Sequence, residues 1–460
     1  MNLSGIILAA GQGTRMKSEL PKVLHDVCGL PIVMHVSRAF AQAGIERPVV
    51  VVGNKHEMVM QAMGQAVEFA YQEKQLGTGH AVLTALPKIP EDGLVVICAG
   101  DMPLITGDTI SKLIEKTIER DYAACVLTAV LPCAKGYGRI IRAQDGALVK
   151  IVEERDASEE EKKINEVNTS VYCFQVKALR GVLSGLKTDN AQGELYLTDA
   201  LELLRAAGAR TGGIQAEDYR EAMGINDRIQ LAQAGKLMQE RINRRHMLNG
   251  VTLINPESIY IDWNVEIGRD TIIYPNNYLC SGSRIGENCT LYEGNRLEKS
   301  RLGKGVSIRC STLIEAEVGD GCTVGPNAYL RPKAVVGANA RIGDFVELKN
   351  CSIGDGSKVS HLSYVGDAEV GSCCNIGCGV VFVNYDGKHK FSSKVGDNVF
   401  VGSNSNLVAP VVLEDGAYIA AGSTITQDVP GGALCIARAR QTVKPGWAEQ
   451  KRRDWEQESE

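Results

Sequence analysis

Four short stretches of this chain carry residue types suited to chemistry on a phosphorylated substrate. The first is LAAGQGTRM, residues 8–16, with Leu20-Pro21-Lys22 close behind. Gly11 and Gly13 free backbone N–H groups to approach an anion, and Arg15 and Lys22 supply cations where phosphate oxygens would lie. The spacing GxxxxGK[ST] is absent, and the stretch lacks the third glycine of a dinucleotide fingerprint. On glycine content alone it is a turn after a first strand. The second is Asp101 in VVICAGDMPL, directly beyond an apolar run. A lone aspartate there is usually a turn former or a helix cap. The third is the pair Arg331 and Lys349, each directly after an aliphatic residue and eighteen residues apart. The fourth is His361 in VSHLSYVG, a residue able to take a proton near neutral pH.

The elements that must hold these groups fall into two regimes. Residues 3–8, Val49 to Val52, Leu94 to Cys98 and Ala124 to Val130 read as buried strands, with helices near 55–65 and 107–120 between them. That alternation predicts an α/β domain with a mostly parallel sheet, in which ligands sit beyond the carboxyl ends of the strands, where Asp101 falls. From Ile261 onward the period changes to six. Ile261, Ile267, Ile273, Leu279, Ile285, Leu291 and Leu297 keep strict phase. After short slips the phase resumes at Val324, Leu330, Val336, Ile342 and Leu348, and again at Val395, Val401, Leu407, Leu413, Ile419 and Ile425. Small residues two places earlier (Ala328, Ala334, Ala340, Ser405, Ser423) share the inward face, because strand alternation sends i−2 and i to one side. A six-residue beat with glycine after the aliphatic predicts a hexapeptide parallel β-helix.

Three hexads per coil would place Arg331 and Lys349 one above the other on one wall. Like charges at about 4.8 Å either reach apart into solvent or bracket an anion. His361 falls at a corner of the next coil, and Tyr364 and Asn375 at outward positions. Between Phe382 and Val395 the insertion VNYDGKHKFSSK breaks the beat, and loops that interrupt a solenoid tend to carry function. Residues 227–248 have helix-forming composition with an N-terminal Asp, and join the two regimes. Their cluster Arg241, Arg244, Arg245 reads as a solvated face. The chain therefore divides into 1–226, a linking helix 227–248, and 249–460 ending in a charged, frayed tail.

With 460 residues, 44% of them hydrophobic and 23% charged, the chain is an ordinary globular protein long enough for two cores. A net charge of −5 gives no electrostatic case for nucleic acid. No stretch reaches the length of a membrane span and the N-terminus has no basic leader, so we expect a cytoplasmic protein without membrane partners. The fourteen cysteines form no CxxC pair, and Cys289, Cys322 and Cys374 fall at small inward positions of the repeat, which predicts buried thiols.

LAAGQGTRM, QLGTGHA, LRPKA, FVELK, HLSYVGDAEVG, NYDGKHK and FVGSNSNLVAPV together resemble the bifunctional N-acetylglucosamine-1-phosphate uridyltransferase/glucosamine-1-phosphate acetyltransferase family, over essentially the whole chain except its charged end. The resemblance implies a Rossmann-like nucleotidyltransferase domain followed by a left-handed β-helix, a homotrimer, and acetyl-CoA lying between neighbouring β-helices. It places UTP on Leu8, Ala9, Ala10, Gly11 and Lys22, its uracil edge on Gln72, Gly77 and Thr78, and Mg2+ on Asp101 and Asn226. Gly138, Glu153 and Asn168 meet the sugar hydroxyls. In the β-helix it implies that Arg331, Lys349, Tyr364, Asn375 and the loop residue Lys390 bind the amino-sugar phosphate. His361 is then the general base, and Cys378, Asn384, Tyr385, Ser403, Ala421 and Arg438 contact acetyl-CoA. One departure stands out: residues 380–382 read Val-Val-Phe where the family has Thr-Ile-Thr, which removes two hydroxyls expected near the cofactor. Two rivals differ in class. One is a single-activity nucleotidylyltransferase whose β-helix regulates or oligomerises. The other is a non-enzymatic scaffold, against which Lys22, Asp101 and Asn226 speak.

Overall fold

The computed structural model describes residues 2–458, so Met1 and the last two residues of the charged tail lie outside it. The chain forms two compact units, 1–242 and 243–460. The division falls inside one long helix, Arg228–Leu248. Asp227 caps its start, accepting from the Gln230 backbone N–H at 2.9 Å.

The first unit is a twisted sheet whose main path runs Thr211–Gln215, Ala124–Val130, Glu166–Gln175, Leu94–Ala99, Leu3–Ala9, Val49–Val52 and Glu68–Tyr71. All neighbours on this path are parallel except Glu166–Gln175, which runs against both of its partners, and a hairpin of Arg139–Arg142 and Leu148–Val152 branches from it. The central strands read as unbroken apolar runs because both faces are covered. Ile7, Val50, Val52, Val96 and Cys98 pack into one core with the helices Ile32–Gln42 and Gly107–Glu119. Ile6, Val49, Val51, Val95 and Ile97 pack into another with Thr78–Ala85, Val176–Leu183 and Asp199–Ala206. Each such aliphatic contributes roughly 1.5–3 kcal/mol by leaving water. The strand ends that carry the polar loops are thereby held on a rigid base.

The second unit is a parallel β-helix. An eleven-stranded sheet forms one wall, and seventeen strands linked around the corners form the rest. The six-residue phase is what the fold uses: of the aliphatics it marks, all but Ile267 are buried, as are Ala328, Ala334, Ala340, Ser405 and Ser423. Cys289, Cys322 and Cys374 are buried free thiols. Glycine follows the aliphatic because successive coils touch there. A Cβ on Gly286 would stand 2.4 Å from the Gly303 carbonyl oxygen. The insertion is absorbed within one coil, since Ala368 pairs with Ser393 and Asn375 with Phe400.

Two expectations are corrected here. Arg241 is not simply a solvated residue, because its guanidinium donates to the Leu104 carbonyl at 2.9 Å. A carbonyl freed at a loop is a fixed acceptor that a sequence pattern does not display. The tail is also not frayed over its length: Trp447–Glu458 is a helix, although it buries no residue. Its Glu, Gln, Lys, Arg and Ala content is strongly helix-forming, which outweighed the absence of a packing face.

Candidate active sites

In the first unit the four candidate groups meet at one point. The strand Leu3–Ala9 ends at Leu8, Ala9 and Ala10, and the Gly100 N–H donates to the Leu8 carbonyl, which sets Asp101 beside the glycine-rich turn. Gly13 adopts φ 62°, and a Cβ there would lie 2.7 Å from the Lys22 Cβ, so glycine is what lets Lys22 fold under the turn. A Cβ on Gly11, by contrast, would meet nothing, so no packing contact of the chain requires glycine there. Lys22 Nζ donates to Asp101 Oδ2 at 2.5 Å and to Asn226 Oδ1 at 3.2 Å, and Arg15 Nη2 donates to the same Asn226 oxygen at 2.9 Å. Asn226 is held by its neighbours: the Ile225 N–H donates to the Asp101 carbonyl, and the Asn226 N–H to Gln230 Oε1 at 2.7 Å. The glycine-rich turn suggests phosphate for Lys22, and the family resemblance implies a cation on Asp101 and Asn226. In the structure the Lys22 ammonium donates to both oxygens.

The loop 72–81 lies at the neighbouring strand ends. Gln72 is buried, and its amide donates to His80 Nδ1 at 2.9 Å and to the Gly77 carbonyl at 3.3 Å. Gly77 has φ 107°, and a Cβ there would stand 2.5 Å from the Leu195 carbonyl oxygen. Thr78 Oγ1 accepts from the Leu197 N–H at 3.0 Å. The segment 195–197, which sequence reasoning missed, is therefore the floor of this loop. Nothing but distant backbone contacts marks it, and those are invisible along the chain.

Gly138, Glu153 and Asn168 are brought together. The Asn168 N–H donates to the Gly138 carbonyl at 2.9 Å, and a Cβ on Gly138 would stand 3.3 Å from Glu153 Oε2. Burial raises the Glu153 carboxyl above the usual range, and the charges of Asp199 and Asp156 add to it. Asn168 is itself buried, its nitrogen donating to Tyr172 Oη at 2.7 Å and its oxygen accepting from the Ser170 N–H. A cleft of about 840 Å³ also opens beside Glu19, Gly53 and Tyr71, but Asp101, Lys22 and Asn226 do not line it.

The β-helix sorts its candidates into columns. Asp344 is in register with His361, and Val359, Ile376, Val401 and Ile419 are in register with one another through successive coils. Cys378, Ser403 and Ala421 each stand two residues past those aliphatics, as His361 does, so they stack along one edge above the Asp344–His361 pair. Backbone bonds from Asn404 to Cys378 and from Gly422 to Ser403 tie that edge together, and Arg438 lies at its end, beside Gly422. His361 is half exposed, and its Nδ1 donates to Asp344 Oδ1 at 2.5 Å, a bond that holds the Asp344 carboxyl below its usual range. Asp344 was missed. The available signal was its position, one coil before His361.

A second column crosses the adjoining wall. Leu330 pairs with Leu348, and Lys349 with Gly366, so Arg331 and Lys349 do stack. Arg331 is part-exposed and already has a carboxylate partner: Nη1 donates to Glu347 Oε1 at 2.8 Å, a contact the sequence did not suggest. The inserted loop closes as a tight turn in which Tyr385 pairs with Lys390. Lys390 stands beside Lys349 and lowers the Lys349 pKa, with burial and Arg331 acting in the same direction. Tyr364 lies flat across Gly366, where a Cβ would come within 2.3 Å of its hydroxyl, and that hydroxyl meets Asn384 Nδ2 at 3.5 Å. Asn375 is not brought to this wall. It lies on the other sheet, in register with Lys358 and Phe400. Val380 and Phe382 are wholly buried, so two of the three departures from the family pattern face the prism core, and only Val381 faces outward. Phase decides this: 380 and 382 are inward positions of the hexad.

Residues 5–154 match the MobA-like NTP transferase domain, and residues 315–350 and 392–427 match the bacterial transferase hexapeptide model, six repeats. The chain is 51% identical to the bifunctional protein GlmU of Clostridioides difficile over 98% of both chains. Similar relatives are the GlmU proteins of Acetivibrio thermocellus at 50% and of Caldanaerobacter subterraneus subsp. tengcongensis at 51%, each again over 98% of both chains. The chain belongs to the bifunctional GlmU family. It is an enzyme with a nucleotidyltransferase unit and a hexapeptide-repeat acyltransferase unit on one chain. As a GlmU family member it carries one cluster of candidate groups on each unit.

Proposed function

We propose that the two units make UDP-N-acetylglucosamine in sequence. In the β-helix the amine of glucosamine 1-phosphate attacks the thioester carbonyl of acetyl-CoA. His361 Nε2 takes the amine proton while Asp344 holds Nδ1–H, and as the C–S bond breaks that proton passes to the sulfur, so CoA leaves as the thiol. Lys349, Lys390 and Arg331 bind the sugar phosphate, with Tyr364 alongside. The edge formed by Cys378, Ser403, Ala421 and Arg438 takes acetyl-CoA, together with Asn384 and Tyr385. Asn375 lies on a different sheet from Lys349, which supports a site completed between copies in a homotrimer. In the first unit the phosphate of N-acetylglucosamine 1-phosphate attacks the α-phosphorus of UTP in line and displaces pyrophosphate. Arg15 and Lys22 offset the developing charge, and Gln72, Gly77 and Thr78 receive the base.

A carboxylate and an amide oxygen that converge on one cationic nitrogen suit a magnesium ion, which takes few protein oxygens and completes its shell with water and phosphate. Asp101 and Asn226 would hold it, Lys22 moving to the phosphates, and the ion would neutralise charge there. The open space over Gly11 leaves the phosphates room to approach the backbone. We place the enzyme in the cytoplasm with these small molecules as its partners.

What carries the reading is that each unit holds its own set of convergent groups. The test is product analysis after incubating the protein with glucosamine 1-phosphate, acetyl-CoA, UTP and magnesium. UDP-N-acetylglucosamine and pyrophosphate are expected, and N-acetylglucosamine 1-phosphate alone when UTP is omitted. Recovery of unchanged glucosamine 1-phosphate would overturn the acetyl-transfer half.

A further inference from the structure

On the outer surface of the β-helix, Asp367 is a carboxylate that these assignments leave without a role. Asp367 follows Gly366 and adopts a left-handed φ of 50°, as does Asn350 one coil earlier at 45°. Both carboxylate oxygens are taken: Oδ1 accepts from Asn350 Nδ2 at 2.6 Å, and Oδ2 from Asn384 Nδ2 at 2.5 Å. A carboxylate is the side chain that accepts at both ends, so it can receive amides from the coil before and the coil after. Burial opposes its ionised form, yet the two amides together with Lys349 and Lys390 hold its pKa below the usual range.

Asn384 is the root of the inserted loop. Its carbonyl accepts from the Phe391 N–H at 2.9 Å, and the next residue, Tyr385, pairs with Lys390. Fixing Asn384 therefore fixes the turn that carries Lys390. Lys390 and Lys349 are like charges side by side, which lowers the Lys349 pKa, and Asp367 is a carboxylate that acts on both. Without it, the exposed loop has every electrostatic reason to move away from the wall.

We propose that Asp367 is a positioning residue for the acetyl-transfer site: it clamps the loop root to the coil below and supplies the counter-charge that keeps Lys349 and Lys390 together as a receptor for the sugar phosphate. The proposal rests on the reading of those lysines as phosphate-binding. It opposes the simple expectation that a carboxylate near an anion site weakens binding, and the two differ in sign.

The experiment is Asp367→Asn in the full chain. The KM for glucosamine 1-phosphate is expected to rise about tenfold while kcat for acetyl transfer stays within about threefold, and uridyl transfer is unchanged. The double variant Asn350→Asp/Asp367→Asn returns a carboxylate to the same column and leaves an oxygen at 367 to accept from Asn384. It is expected to bring KM back to within about threefold of wild type. An unchanged or lowered KM in Asp367→Asn overturns the proposal, as does a double variant whose KM stays about tenfold high. Should Asp367→Asn not fold, Asp367→Ser, which also removes the charge, is read by the same threshold. Lys349→Ala separates the two readings. If it leaves KM unmoved, the phosphate assignment fails. If it raises KM while Asp367→Asn does not, only the positioning role fails.

Discussion

The two units solve one problem, placing charge next to a phosphate, by opposite routes. In the α/β unit Arg15, Lys22, Asp101 and Asn226 come from segments spread across more than two hundred residues and meet because one sheet presents its strand ends together. In the β-helix, Asp344 and His361, or Arg331, Lys349 and Gly366, are neighbours because they repeat at one coil's spacing. The first arrangement depends on long-range topology and admits one geometry. The second is modular, and a coil can accept an inserted loop without disturbing the stack below it. This explains why the α/β unit gathers its candidates at one depth, whereas the β-helix spreads them along an edge and a wall.

If the sites are independent, the largest effects should be mutually exclusive. Asp101→Ala is expected to lower uridyl transfer by about 10³-fold or more and leave acetyl transfer intact. His361→Ala should lower acetyl transfer by about 10²–10⁴-fold and spare uridyl transfer. Both activities assayed on each folded variant would break the comparison if either substitution removed both. A smaller effect sharpens the β-helix side. Asp344→Asn, which keeps size but loses the charge behind His361 Nδ1, should lower acetyl-transfer kcat by about tenfold and leave the KM values within about threefold, as steady-state kinetics would report. Smallest is the alkaline limb. Because Lys390 lowers the Lys349 pKa, Lys349 loses its proton at lower pH than an ordinary lysine, so KM for the phosphorylated amino sugar should begin to climb earlier as pH rises. Lys390→Ala should move that climb to higher pH while weakening binding overall, as KM measured across the alkaline range would report.

Local periodicity carried a great deal of this molecule. The unbroken apolar runs located Val49–Val52 and Ala124–Val130 to the residue, and the six-residue phase named the inward face of the β-helix, because burial repeats with the geometry of the strand. With three hexads to a coil, as the resemblance implies, it also put Arg331 and Lys349 in one column, where the structure has them. What phase could not supply were contacts fixed by distance in space. Leu195 and Leu197 under the 72–81 loop, and Lys22 lying on Asp101 and Asn226, join positions that no local pattern links, and coil spacing alone did not say that Glu347 takes Arg331. The departure at 380–382 falls on the side that phase does decide. The residue types differ from the family pattern, but hexad phase already sends 380 and 382 inward and 381 outward, and the structure buries Val380 and Phe382 and exposes Val381 accordingly. The sequence thus determined which faces the side chains occupy, because that follows from backbone repeat. Only the tertiary structure decided which charges become partners, because pairing depends on how the sheet and the coils bring distant segments within a few ångströms.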